Sequence, residues 1–308
     1  MQIWQNKPYY SLSCRMEEIF HTKVYKLSLN GGMSCPNRDG KIGRGGCIFC
    51  SAGGSGDFAG NQSLSIHQQI EEQKKLLAGK RNADKFIAYF QAYTNTYAPV
   101  AYLREIFTEA IQHPEVVALS IGTRPDCLGD DVLALLDELN HQKPVWVELG
   151  LQTIHPASAA YIRRGYDLPC FEKAVTDLRD LHIEVIVHTI LGLPGENEAM
   201  NLETMNYLNH MDIQGIKLQL LHVLKGTDLA NDYQKGQFQV LSKDDYLNRV
   251  IHCLEVLSPE IVIHRVTGDG PKDLLIAPLW SSAKRSVLNE LHHRMKIMDA
   301  WQGKYYHP

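Results

Sequence analysis

The chain has 308 residues, 44% of them hydrophobic and 21% charged, with a formal net charge of −4. That length suits one large α/β domain or two small ones, and the composition excludes a disordered chain. No run approaches the roughly 18 apolar residues of a membrane span and the N-terminus lacks an apolar signal core, so a cytoplasmic protein is expected.

Seven short β-branched runs follow one another: VYKLSL (24–29), FIAYF (86–90), VVALSI (116–121), VWVEL (145–149), IEVIVHTIL (183–191), IKLQLL (216–221) and IVIHRV (261–266). Amphipathic stretches fill most intervals: SIHQQIEEQKKLLAG, APVAYLREIFTEAIQ, GDDVLALLDELN, PCFEKAVTDLRDL, NEAMNLETMNYLNH and SKDDYLNRVIHCLEVL. Near-continuous apolar strands alternating with such helices predict a parallel sheet covered by helices. Each run leads at once into a polar or glycine-rich segment: NGGMSCPNRDGKIGRGGCIFC, QAYTNTYAP, GTRPDC, GLQTIHP, GLPGE, HVLKGT and TGDGP. In a parallel sheet or barrel these segments share the C-terminal face, where sites are built.

Of seven cysteines, Cys14, Cys127, Cys170 and Cys253 are scattered and read as structural, whereas Cys35, Cys47 and Cys50 form a C-x11-C-x2-C array. Three thiolates can hold three irons of a [4Fe–4S] cluster and leave the fourth iron open. Gly40, Gly43, Gly45 and Gly46 let the loop bend around it, and Phe49 can shield it from water. Structural zinc is the alternative; it wants four closed ligands, and His21 or His67 could supply the fourth.

The array after a first strand, with an aromatic before the last cysteine, resembles the radical S-adenosylmethionine (SAM) enzymes. The x11 spacing departs from their commonest pattern and resembles that of the YhcC/YtqA-like subgroup. Asn95 in QAYTNTYAP, GTRPD, ELGLQ, RRGY and LGLPGE resemble the radical SAM core of the Elongator catalytic subunit. The fold so implied is α/β, a partial (β/α)6-type TIM barrel with N- and C-terminal extensions: residues 1–23 a lead-in, 24–267 the barrel, and 268–308 an extension that is basic from about 281.

The resemblance implies a [4Fe–4S] cluster and SAM, cleaved by one electron to a 5′-deoxyadenosyl radical that takes a hydrogen atom from the substrate. An electron donor such as flavodoxin or ferredoxin is implied as a partner. Gln91, Thr94 and Asn95 stand where such enzymes hold the methionyl amine. Glu148 and Gln152 suit the ribose, Arg163 or Arg164 the carboxylate, and the backbone about Gly192 the adenine. Glu148 could instead pair with a lysine, and the two arginines could lie on a solvated helix.

His188, His222 and His264 sit on strands, where a satisfied core histidine is the ordinary case. His222, Lys225, Thr227, Arg265 and Asp269 are the better substrate-side candidates, with catalytic roles open for His222, Lys225, Arg265 and Asp269. No second cysteine array is present, which argues against a methylthiotransferase. Met295 and Met298, three apart on a helix, are expected in the core.

Charge bears on the substrate. Residues 1–50 hold seven Lys and Arg against three Asp and Glu, and residues 281–308 five against two, around an acidic body. Lys284, Arg285, Arg294, Lys296 and Lys304, interleaved with Trp280, Trp301, Tyr305 and Tyr306, could grip phosphates and stack on a base. Together with the Elongator resemblance, this predicts tRNA as substrate and the C5 side chain of a wobble uridine, in carboxymethylaminomethyl-type maturation, as target. The alternatives are a small metabolite in a closed barrel, or a non-catalytic Fe–S or zinc protein binding a partner through its basic ends.

Overall fold

A computed structural model of the chain describes residues 2–54, 56–78 and 84–308. The first half runs α1 (Leu12–Phe20), β1 (Val24–Leu29), α2 (Ile66–Ala78), β2 (Lys85–Phe90), α3 (Val100–Gln112), β3 (Val116–Thr123), α4 (Asp130–Asn140) and β4 (Val145–Gln152). It continues with α5 (Pro156–Tyr161), α6 (Leu168–Asp180), β5 (Glu184–Leu191), α7 (Glu198–Asn209), β6 (Gly215–Leu220), β7 (Val223–Leu224) and α8 (Asp228–Gln234). It ends with α9 (Lys243–Val256), β8 (Val262–Arg265), β9 (Leu275–Ala277) and α10 (Lys284–Ile297). The expected helix SIHQQIEEQKKLLAG becomes α2; its final Gly79 lies outside the described residues.

Seven strands form one parallel sheet, as the strand pattern predicts, in the order β1-β2-β3-β4-β5-β6-β8, curled into the half-barrel that the resemblance implies. Helix starts are set locally: Asp167, Asn197, Thr227 and Ser242 cap α6, α7, α8 and α9 with a side-chain oxygen that takes an orphan backbone N–H. Outward residues such as Phe90, Leu119, Val147, Val187 and Leu218 bury against the helices in the main core.

The inward residues fall into layers, because side chains alternate along each strand and the register aligns them. Ile87, Ala118, Trp146 and Ile186 make an apolar floor closed by Met16 of α1. Two residues further along these strands the floor gives way to Tyr89, Ser120, Glu148 and His188, joined by Lys26 and Lys217 from β1 and β6. Helix α1, which the strand–helix pattern did not indicate, is thus the plug of the barrel.

The two ends of the chain clasp each other at the β8 edge. Ser11 bridges Ile263, and the Ile263 amide donates to Tyr10 O at 2.7 Å, which covers an otherwise open edge strand. Gln302 is fully buried; its Nε2 donates to Ser258 O (2.6 Å) and Ile261 O (2.8 Å), and its Oε1 accepts from the Tyr10 amide (2.9 Å). Met295 is in the core as expected, but Met298 lies past the end of α10 and is 43% exposed. Among the described residues no helix is long and apolar enough to cross a membrane.

Gln302→Ala would strand one buried amide and two carbonyls, so a loss of about 3 kcal/mol is expected, read as a lower urea midpoint. Lys296→Ala on the exposed face of α10 should leave the midpoint unchanged.

Candidate active site

The strand ends and the loops after them enclose a cavity of about 950 Å³, within the range of ligand sites. Cys35, Cys47 and Cys50 line one wall. Tyr89, Glu148, His188 and Lys217 line its depth, and His222, Arg265, Asp269 and Lys284 stand on the side of the last strands.

The cysteine loop has little regular structure and is shaped by hydrogen bonds. The Arg38 and Asp39 amides donate to Cys35 O (2.8 and 3.2 Å), Gly46 N to Asn37 O (2.8 Å) and Cys50 N to Cys47 O (3.0 Å). Ile48 ties the loop to the rest: its amide donates to Ile162 O (3.2 Å) and its carbonyl accepts from Leu229 (3.0 Å). The Asn37 amide donates to Arg163 O (2.6 Å) and reaches Cys47 Sγ at 3.6 Å. Arg38 donates to Cys50 O (2.9 Å) and Ser51 O and lies over the Tyr93 ring. Gly46 needs to be glycine twice over: φ is +84°, and a Cβ would meet Arg38 Nε at 2.8 Å.

Three unbridged thiols on one cavity wall, one of them accepting an amide N–H, are a donor set that suits an iron–sulfur cluster. Burial pushes the Cys47 thiol up to about 11, so a thiolate there calls for a bound cation. For zinc a fourth ligand would be needed. Among the described residues neither His21 nor His67 lines this cavity: His21 ends α1, and His67 stands beside His113.

Below the cysteines lies a buried charged layer. Glu148 accepts from Lys26 and Lys217, from Ser120 Oγ at 2.8 Å, and pairs with His188 Nε2 at 2.7 Å. Lys217 also donates to Tyr89 OH (3.1 Å), and both lysines sit 4.6 Å from the Tyr89 ring centroid. Burial alone would raise the Glu148 carboxyl, but Lys217, Lys26 and His188 outweigh it and hold it well below the usual range. Burial lowers the Lys217 ammonium to about 7 against the pull of Glu148. Burial, reinforced by Lys217, lowers His188 to about 4; burial does the same to His222.

Of the residues singled out in the sequence, Gln91, Thr94, Glu148, Gln152, Arg164, His222, Arg265 and Asp269 line the cavity. Asn95 does not: it is wholly buried, its Nδ2 donating to Gly122 O at 2.7 Å while its Oδ1 has no partner. The Arg163 side chain is 47% exposed and pairs with Asp228 at 2.5 Å. Arg164 is spent on backbone, donating to Leu151 O (3.0 Å), Thr153 O (2.7 Å) and Tyr166 O (3.0 Å). Gly192 packs near Leu241, Lys225 donates to Asp273 O (2.9 Å) and Thr227 caps α8, all outside the cavity lining. His222 meets Ser281 Oγ at 3.1 Å, and Asp269 takes Lys284 at 2.5 Å and Arg265 at 3.9 Å. Sequence reasoning missed Lys26, Tyr89 and Lys217, although a lone lysine in VYKLSL and in IKLQLL was a visible signal.

Comparison with known proteins agrees with this geometry. The pattern of the Radical SAM superfamily matches residues 38–208, and that of the Radical_SAM C-terminal domain residues 213–297. The chain is 47% identical to YtqA of Bacillus subtilis (strain 168) over 300 residues, covering 97% of this chain and 93% of that one. It is 40% identical to YhcC of Escherichia coli (strain K12) over 270 residues, covering 87% and 86%. A tRNA uridine(34) acetyltransferase of Methanocaldococcus jannaschii is 24% identical over 189 residues, 60% of this chain but only 34% of that protein. Among solved structures, the archaeal Methanocaldococcus infernus Elp3 with an N-terminal deletion shares the fold, with a TM-score of 0.69 at 16% identity over 91% of this chain and 64% of that one.

The buried imidazoles make stability depend on pH. A histidine near 6.5 when unfolded and about 4 when folded takes up a proton on unfolding between those values, so stability falls as pH drops through that window. For His188 and His222 the loss at pH 5 is on the order of 2 kcal/mol each. Urea midpoints should fall from pH 7 to pH 5, and an unchanged midpoint would contradict this protonation pattern.

Proposed function

This chain belongs to the radical SAM superfamily and is a radical SAM enzyme; we propose that it modifies the C5 side chain of the wobble uridine of tRNA, in carboxymethylaminomethyl-type maturation. Membership implies a [4Fe–4S] cluster and SAM, which when bound supply one-electron cleavage of SAM and hydrogen-atom abstraction from a substrate. The observation that carries the chemistry is the sharing of one cavity wall by Cys35, Cys47 and Cys50.

Those three thiolates would hold the cluster. Asn37 would stabilise the Cys47 sulfur through its amide, and half-buried Phe49 would keep water from the loop. Gln91, Thr94 and Gln152 offer neutral polar groups at strand ends for SAM. Arg164 and the Arg124–Asp126 pair (2.8 and 2.9 Å) hold the loops that frame it. Glu148 keeps the layer beneath rigid, and Lys217, His222, Arg265 and Asp269 face the space left for a substrate. An electron donor of the flavodoxin or ferredoxin type would supply the electron.

The tRNA assignment is supported by the similarity to an enzyme named for tRNA uridine(34). A second reading, a small metabolite held in the cavity, is favoured by one observation. Three of the five terminal cations are already paired: Lys284 with Asp269 (2.5 Å), Arg294 with Glu290 (2.5 Å) and Asp244, and Lys304 with Glu255 (3.6 Å). Arg285 and Lys296, both exposed on α10, remain for phosphate contact.

Cys35→Ala, Cys47→Ala and Cys50→Ala should each lose bound iron and the dithionite-dependent release of 5′-deoxyadenosine from SAM, while Cys127→Ala, Cys170→Ala and Cys253→Ala keep both. Nucleoside analysis of tRNA from a deletion strain tests the substrate. Altered wobble-uridine side chains support tRNA, and an unchanged set transfers the radical chemistry to a small metabolite.

A further inference from the structure

Outside the cavity, two histidines and a glutamate meet where α2 packs beside α3. His67 and Glu71 stand four residues apart on α2, so they share one helix face. His113 follows the last residue of α3, its side chain only 4% exposed. Its Nε2 lies 3.1 Å from Glu71 Oε1, and the two imidazole rings are 5.3 Å apart with planes inclined at 39°. One ligand atom from each of the three lies within 4.8 Å of the other two.

We propose that His67, Glu71 and His113 form a binding site for a divalent transition metal ion, zinc being the best match, separate from the cysteine array and with a fourth position open to water. Two neutral imidazoles and one carboxylate form a donor set that zinc uses in open sites, and imidazole nitrogen selects zinc-like ions over magnesium or calcium. Zinc holds its ligands about 2 Å away, so the three donors must close by roughly 1 Å. His67 is exposed, its ring already facing that of His113.

Two neighbours set the affinity. Lys74 bonds Glu71 through Oε1 at 2.8 Å, so its ammonium competes with the ion for that carboxylate. Coordination through His113 Nε2 requires the Nδ1–H tautomer, so its hydrogen bond to Glu71 Oε1 (3.1 Å) is replaced by shared coordination and the long contact from the Glu115 amide to Nδ1 (3.3 Å) is given up. Both effects weaken the site without closing it.

Its consequence is mechanical. Gln69, two residues along α2 from His67, is buried and bonds the Asn30 carbonyl and amide, both at 2.9 Å. Asn30 is where the cysteine-bearing segment leaves β1. A metal bolting α2 to α3 therefore steadies the anchor of that segment.

The test uses untagged full-length protein purified anaerobically with its iron, dialysed against a slight excess of ZnCl2 and then against metal-free buffer. Iron and zinc per chain are measured together. The parent protein should keep about one zinc in addition to its iron. His67→Ala, which removes an exposed side chain, and His113→Asn should each lower zinc affinity at least tenfold with iron unchanged. Zinc should also raise the melting temperature of the parent but not of His67→Ala. No zinc retained by the parent, equal zinc in His67→Ala, or zinc lost in Cys35→Ala but kept in His67→Ala would overturn the site.

Discussion

The interior of this barrel depends on a single buried carboxylate. Glu148 answers two ammonium groups, an imidazole and a hydroxyl at once, each from a different strand. Removing Lys26 and Lys217 from water would be prohibitive without a counter-charge, and one carboxylate shared by four partners supplies it with its hydrogen bonds satisfied. Strands β1, β3, β4, β5 and β6 are thereby held around a polar centre. The apolar floor of Met16, Ile87, Ala118, Trp146 and Ile186 seals that centre from below.

A rigid base frees the loops to carry chemistry. The cysteine segment contains no helix of its own, and its form comes from bonds to other parts of the chain: Ile48 to Ile162 and Leu229, Asn37 to Arg163, Arg38 to its own loop. Those contacts come from the segments after β4 and β7, so the sulfurs are positioned only when the barrel has closed. Arg163 and Arg164 illustrate the division of labour. The first gives its carbonyl to the cysteine loop and its side chain to Asp228, and the second spends its guanidinium on three backbone carbonyls. Both residues thereby brace the loops that frame the cavity.

The basic termini have a structural task as well as an electrostatic one. Tyr10, Ser11 and Gln302 close the β8 edge, where an exposed strand would otherwise invite pairing with another chain. The acidic body supplies partners for three of the terminal cations, so the positive charge visible in the sequence is partly cancelled in space. What is left is a smaller patch on α10 than the linear count suggests.

Much was decided by local pattern. Alternation of apolar runs with amphipathic helices determined the parallel α/β architecture, because period and length act within a few residues. The C-x11-C-x2-C spacing singled out the cysteines for the same reason, and the segments after the strands mostly arrived at one face. What only the tertiary structure decided is which of two adjacent polar residues looks inward. Thr94 lines the cavity and Asn95 does not; Arg164 lines it and Arg163 does not. The partners of Glu148 were equally hidden: Lys26 is 122 residues away and Lys217 is 69. Such pairs exist only once strand register and barrel closure bring the same inward layer together, and no feature of either residue's neighbourhood in the chain encodes the other's position.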